Sequence, residues 1–236
     1  YKDQVIFEKG EVVKNDGTPY KVYTPYSRKW IESWGNESPI SYPSENLLHH
    51  LESNENQPQT SLSALGFKKS NIKLPTFITD ERIMDEYEAT RNYPALDSTS
   101  RVGTALRFGT ISIRKLAMKA AERSEITYFK ELIWREFFMQ ILWHFPHTVE
   151  RSFKPQYDRI EWRNNEEEFD RWCAGETGYP FVDAGIKELN ATGFMHNRVR
   201  MLVGSFLCKH LLIDWRWGEA YFAEKLMDFE RSEERS

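Results

Sequence analysis

SEITYFKELIWREFFMQILWHFP, residues 124–146, decides how this chain is read. It reads as a helix from a Ser124 cap to about His144, where Pro146 stops it. Glu131, Trp134, Arg135 and Phe138 fall on one face of that helix. Glu131 and Arg135 stand four residues apart, the spacing of a helical ion pair. An indole flanked by a carboxylate and a guanidinium suits a stacked, hydrogen-bonding heterocycle. The same pattern also fits an amphipathic helix with one salt bridge.

Helical patterns continue on both sides. Before it, Asp80 to Asn92 reads as one helix, stopped ahead of Pro94. Ser100 to Phe108 reads as a short one. Thr110 or Ser112 caps a helix to Arg123, with Ile113, Leu116, Ala117, Ala120 and Ala121 on one face. After it, 165–173 and 180–191 are shorter helices, the second closed by Gly193. Phe194 to Ile213 and Trp217 to Phe229 complete the series. Helix follows helix without strand alternation, so residues 79–229 predict an all-α domain. The first third differs. Val5-Ile6-Phe7 and Val12-Val13 read as short strands, Ser27 to Trp34 as a short helix, and residues 36–75, rich in Ser, Asn, Pro and Gln, as an extended connector.

Composition bounds the function. The chain has 236 residues, 40% of them apolar, which supports a sizeable core. No apolar run is long enough for a membrane span, and the first residues do not resemble a signal peptide. Two cysteines, Cys173 and Cys208, make neither a disulfide framework nor a Cys-rich zinc site, so a reducing, cytoplasmic setting is expected and no metal is. Nucleotide-binding glycine motifs, zinc-protease motifs and the hydrolase elbow are absent. The sequon at Asn190 reads as chance. The net charge of −4 is segregated: residues 158–170 carry six acids against two bases, while residues 101–135 carry eight bases against three acids. A basic face for a polyanion is therefore compatible with an acidic total. Eight Trp is a high count; Trp serves core bulk, stacking on flat ligands, or electron transfer.

Two further segments carry chemistry. Tyr87-x-x-x-Arg91, Thr99-Ser100-Arg101-Val102-Gly103 and Arg107-Phe108-Gly109 combine hydroxyls, helix-start N–H groups and arginines, which suits a diphosphate or another anion. Thr192-Gly-Phe-Met-His-Asn-Arg-Val-Arg-Met201 opens a helix on which Asn197, Arg200, Met201 and Gly204 share a face. Asn and Arg buried there would need partners, and Gly204 leaves room for a flat ring.

Together these motifs give the chain a resemblance. Thr-Pro-Tyr-Ser-Arg-Lys-Trp at 24–30, Glu-Leu-Ile-Trp-Arg-Glu-Phe at 131–137, Gly-Tyr-Pro-Phe-Val-Asp-Ala-Gly at 178–185, Met-His-Asn-Arg-Val-Arg-Met at 195–201 and Leu-Leu-Ile-Asp-Trp at 211–215 are similar to signatures of the photolyase/cryptochrome family. The resemblance covers about residues 1–230. It implies a mostly α fold: the helical FAD-binding domain at 79–236, preceded by the end of an α/β antenna domain at 1–34 and a connector at 35–78.

The resemblance further implies light-driven repair of DNA. Excited reduced, anionic FAD gives an electron to a pyrimidine dimer, the cyclobutane ring opens, and the electron returns. Tyr87 and Thr99, Ser100, Arg101, Val102 and Gly103 are expected to hold FAD, with Tyr128, Arg135, Asn197, Asp228 and Glu230 around it. Glu131, Trp134, Asn197 and Met201 are expected to act on the lesion. Arg91 and Arg198 join Glu131, Trp134 and Asn197 on UV-damaged DNA. Trp162 and Trp215 match the outer and middle members of an electron-transfer chain. Glu131, Trp134 and the Met-His-Asn-Arg run resemble the class I cyclobutane-dimer type. A cryptochrome-like photoreceptor, or a non-enzymatic fragment, is the alternative. A monomer is expected, and the antenna pigment is left open. The family continues past the Asp-x-Glu pair with Asn-Asn-Gly-x-Trp-x-Trp, whereas this chain reads Arg231 to Ser236; truncation at both ends is therefore expected.

Overall fold

The structure is a computed structural model and describes residues 2–36, 43–51 and 60–232. Parts of the expected connector (37–42 and 52–59), and residues 233–236 of the atypical C-terminus, lie outside the described residues. Among the described residues there is no β-strand, in keeping with the mostly α expectation. No described helix is long and apolar enough to cross a membrane.

The helices are α1 (Tyr23–Asn36), α2 (Glu81–Asp85), α3 (Tyr87–Thr90), α4 (Gly103–Arg107) and α5 (Ile113–Ala121). They continue as α6 (Thr127–His144), α7 (Glu166–Ala174), α8 (Pro180–Thr192), α9 (Asn197–Lys209) and α10 (Trp215–Lys225). Their ends follow local chemistry. Ser112 caps α5 and Asn165 caps α7 through side-chain oxygens. Gly175 and Gly193 close α7 and α8 with left-handed backbone, φ 68° and 69°. Pro180 sits in the first turn of α8, where no N–H is needed.

Several boundaries differ from expectation. The single helix at 80–92 is two, meeting at Glu86, whose carbonyl accepts the Thr90 hydroxyl at 2.9 Å; such back-bonding bends helices. Ser124 is not the cap of α6. The Glu125 carboxylate instead takes the Thr127 N–H at 2.9 and 3.0 Å. The helix expected from Phe194 begins at Asn197, because His196 Nδ1 accepts the Arg198 N–H at 3.1 Å and caps it. Asp214 caps α10 in the same manner, so that helix starts at Trp215 rather than Trp217.

The strand expected at 12–13 is absent, and the one expected at 5–7 is absent for a visible reason. Side chains of α5 and α6 consume the backbone groups that a neighbouring strand would need. Ile6 and Phe7 donate their N–H groups to the Glu136 carboxylate at 2.6 and 3.1 Å. Arg114 donates to the carbonyls of Lys2, Asp3 and Val5. Gln140 donates to the Phe7 carbonyl at 3.3 Å, and His144 Nε2 bonds that of Lys9 at 2.7 Å. The first residues are thus a strap laced across α6. Ile6, Phe7, Val12, Tyr26 and Trp30 share one core with α4, α5 and α6. Residues on both sides of the division expected at residue 34 thus contribute to one core.

A second core lies in α7–α10, around Trp172, Ile186, Val203 and Leu207. There α8 and α9 pack so closely that a Cβ on Gly185 would come within 2.4 Å of Val199 Cγ1. Burying these apolar side chains is the main stabilising term in each core. A cavity lies where the two cores face each other.

Candidate functional site

A cavity of about 1160 Å³ is lined by α3, residues 99–107, α6, α9, the start of α10 and residues 228–230. It is larger than the ~300–1000 Å³ common for small-molecule sites. Every residue singled out in the sequence as a cofactor, lesion or DNA contact lines it. Of the two proposed electron carriers, Trp215 lines it, whereas Trp162 lies in the coil before α7, outside the lining.

One wall comes from the first core. Arg91 Nη1 and Glu131 Oε1 form an ion pair at 2.6 Å, both side chains largely shielded. The guanidinium of Arg91 also lies over the Tyr87 ring at 5.3 Å. Tyr87 meets Tyr128 edge-on at 5.3 Å, and the Tyr128 hydroxyl donates to, or accepts from, Ser100 Oγ at 3.0 Å. Burial pushes the Tyr87 phenol up to about 12, with the Glu131 carboxylate adding to it; burial likewise raises that of Tyr128. Both phenols therefore stay neutral donors near pH 7. Trp134 stacks on Tyr23, whose ring lies in α1.

Arg101 holds left-handed backbone at φ 52°, unusual for a residue with a side chain and a feature that clusters at functional sites. Its guanidinium pairs with Asp97 at 3.0 Å and lies over Phe194. Its Nε is buried without a hydrogen-bond partner among the described residues. Arg135 lines the cavity and also donates to the Gln4 carbonyl at 2.7 Å, so part of its bonding serves the strap.

The facing wall comes from α9 and the chain after α10. Asn197 and Met201 are exposed, which corrects the expectation of a buried Asn. Arg198 donates to Asn92 Oδ1 at 2.8 Å and so bridges the two walls. Arg200 grips both Asp228 oxygens at 2.8 Å. Asp228 packs on the start of α4, where a Cβ on Gly103 would come within 2.6 Å of its Oδ2. Glu230 pairs with Arg107 at 3.4 Å, and Arg107 also donates to the Phe229 carbonyl at 2.9 Å. A Cβ on Gly204 would meet nothing within 4 Å, so this position opens onto free space. His196 is buried, and its Nε2 has no partner among the described residues. Burial holds the ring below its ordinary value, and Arg198 and Arg200 add to that.

Residues not assigned a role from sequence also line the cavity, among them Arg107, His196, Trp172, Cys208 and Glu219. Of these, only Arg107 stood in a segment whose composition pointed to anion binding. Among the described residues no cluster of His, Cys, Asp and Glu could hold a metal ion. Asn190 of the sequon is engaged by the Cys173 carbonyl and the Tyr221 hydroxyl.

Comparison with known proteins adds a frame. Residues 128–235 match the family described as the FAD binding domain of DNA photolyase. A deoxyribodipyrimidine photo-lyase of Halobacterium salinarum is 38% identical over 250 residues, which takes in 97% of this chain and 52% of that protein. One of Vibrio cholerae is 36% identical over 249 residues, with 97% and 53% covered. A crystal structure of a bacterial class III photolyase from Agrobacterium tumefaciens matches with a TM-score of 0.84 at 33% identity, covering 99% of this chain and 52% of that one. An archaeal photolyase from Sulfolobus tokodaii, described with two FAD molecules, matches with a TM-score of 0.65 at 40% identity over 73% of this chain and 41% of that one. The chain spans about half the length of the curated relatives it matches.

Proposed function

We infer that the chain belongs to the photolyase/cryptochrome family through the FAD-binding domain of DNA photolyases, and propose that it is the FAD- and lesion-binding part of an enzyme that splits cyclobutane pyrimidine dimers in DNA under blue light. The observation that carries the reading is the single cavity shared by the residues expected on the flavin and those expected on the lesion.

The residues present fit FAD. The cavity has the volume for a folded dinucleotide, Gly204 leaves open space, and buried polar atoms of Arg101 and His196 lack partners among the described residues. Tyr87 and the Thr99–Gly103 turn would hold the phosphates and ribityl chain, with helix-start N–H groups and Arg101 facing the negative charge. Tyr128, Arg135, Asn197, Asp228 and Glu230 would surround the rings. Arg200 and Arg107 hold the two carboxylates in place. When bound and reduced, FAD supplies a photoexcitable one-electron donor. Trp215, with Trp162 beyond it, would carry electrons from the surface toward the cavity.

The lesion is handled by this chain's own side chains. A dimer leaves the base stack more cheaply than an intact pair, which favours damaged over normal DNA. Trp134 stacks on the extruded bases, Glu131 accepts their N–H groups, and Asn197 and Met201 line the opposite side. Arg91 and Arg198 neutralise flanking phosphates. Arg91 and Glu131 are paired to each other at 2.6 Å, so DNA exchanges that ion pair for one between Arg91 and a phosphate and for hydrogen bonds from the dimer to Glu131. Entry of the dimer also displaces water from Glu131, which strengthens the hydrogen bonds it accepts.

The test uses absorption and product analysis. The purified or FAD-reconstituted chain is expected to be yellow. Thymine dimers in a duplex are expected to fall under blue light and persist in darkness. The Glu131→Ala, Trp134→Ala double variant is expected to keep the yellow colour and lose repair. A colourless protein that does not take up FAD, or repair that survives the double change, overturns the reading.

A further inference from the structure

Trp134 does not meet the cavity alone. Tyr23, the first residue of α1, lies flat on its indole, with ring centroids 3.5 Å apart and 6° between the planes. Phe138 also stacks on Trp134 in an offset, tilted arrangement, at 5.3 Å and 27°, and Phe137 meets it edge-on at 5.7 Å, so Tyr23 supplies the closest and most nearly parallel of three ring contacts. Trp134 and Phe138 line the cavity, and Tyr23 does not. The phenol ring therefore backs the indole from the protein side. Tyr23 is itself held at two points: its hydroxyl donates to the Lys130 carbonyl at 3.0 Å, and its ring meets Phe137 edge-on at 5.8 Å. Its backbone starts a helix that shares its core with α6.

An indole without such a backing samples several rotamers, and a stacked ligand must then freeze one of them. A fixed ring parallel to Trp134 removes that freedom before any ligand arrives. Burial keeps the phenol neutral, with the Glu131 carboxylate adding to the effect, so the bond to Lys130 persists across the working range of pH.

We propose that Tyr23 is a positioning residue for lesion recognition: it fixes the plane of Trp134 so that a flat, extruded pyrimidine stacks on a surface already in place. This rests on the reading of Trp134 as the lesion-stacking residue. It also gives the segment ahead of the connector a part in the site, through a contact that does not touch the DNA.

A double-mutant cycle tests it, read as dark binding of the chain to a duplex carrying one thymine cyclobutane dimer. Tyr23→Leu is expected to weaken binding about three- to tenfold when Trp134 is present, and to change nothing further in a Trp134→Ala background. Tyr23→Phe keeps the stacked ring and is expected to bind like the parent. Tyr23→Met, read in the same cycle, stands in if Tyr23→Leu melts below the assay temperature. Equal losses in both Trp134 backgrounds would make the residue merely structural and sink the proposal, as would a Tyr23→Phe variant no better than Tyr23→Leu. If Trp134→Ala alone leaves damaged-DNA binding unchanged, the lesion-stacking reading fails first and the proposal falls with it.

Discussion

The two walls of the cavity are built differently. On the α6 wall, side chains expected to do chemistry are already engaged: Glu131 with Arg91, Trp134 with Tyr23, Tyr128 with Ser100, and Arg135 with Gln4. Some of these partners are far away in sequence, 40 residues for the first pair and 131 for the last. On the α9 wall, Asn197 and Met201 are exposed, Gly204 faces open space, and His196 Nε2 has no partner among the described residues. The start of α9 combines a local cap, His196 to Arg198, with the longer reach of Arg198 to Asn92 and of Arg200 to Asp228. The first wall is a preorganised surface whose geometry is set before a ligand binds. The second keeps polar groups and space in reserve for one.

The largest expected effect tests the rigid wall. Glu136 is buried and accepts from Ile6, Phe7 and the Trp30 indole N–H, the last at 2.8 Å. Glu136→Leu strands three buried donors, so urea unfolding is expected to show a loss of about 4 kcal/mol. A loss within the scatter of a surface substitution would mean that the strap does not anchor this wall.

Next comes the tie between α9 and the chain after α10. Arg200→Ala leaves the Asp228 carboxylate shielded and unpaired, an expected cost of about 2 kcal/mol in the same measurement. Asp228→Asn in the Arg200→Ala background is expected to recover part of it, because the stranded charge is gone.

A smaller effect carries a pH signature. His196 caps α9 only while Nδ1 is free to accept, and burial lowers its folded-state pKa. Its contribution is therefore present above the unfolded value of about 6.5 and is lost as pH falls through the lowered folded value. His196→Ala is expected to cost about 1 kcal/mol at neutral pH. His196→Asn keeps a capping acceptor without the titration, so its stability is expected to be flatter over that window. Identical pH profiles for the parent and His196→Asn would remove His196 from this role.

The smallest stability effect separates the walls most cleanly. Gly204 lies within α9 beside open space, so Gly204→Ala is expected to stabilise the chain by up to about 1 kcal/mol through helix propensity. Gly204→Leu is expected to fold and to take up less FAD, read from the flavin absorbance per chain. Undiminished uptake would show that the free space there is not needed by the cofactor.

Much of the site could be read without coordinates, because its residues cluster in short motifs whose helical spacing puts them on one face. Glu131 and Trp134 share a face of α6 through the 3.6-residue repeat alone. The start of α9 could have been placed better, since the pattern from Phe194 looks helical until His196 is seen to cap. Trp172, Cys208 and Glu219 in the lining had no such signal, because only the approach of distant elements makes them neighbours.

The sequence by itself determined that the chain is helical from Asp80 onward, that it carries the family's motifs, and that most of its candidate residues lie in three short segments, with Trp162, Trp215, Asp228 and Glu230 outside them. Local propensity, caps and periodicity are encoded within a few residues, so they can be read there. The tertiary structure decided the rest. It made residues 2–9 a strap rather than strands, because Arg114, Glu136, Gln140 and His144 take up their backbone groups from more than a hundred residues away. It also set Tyr23 behind Trp134 and closed the three segments around one cavity. Those outcomes depend on which surfaces two hydrophobic cores bury against each other, and no local pattern specifies that choice.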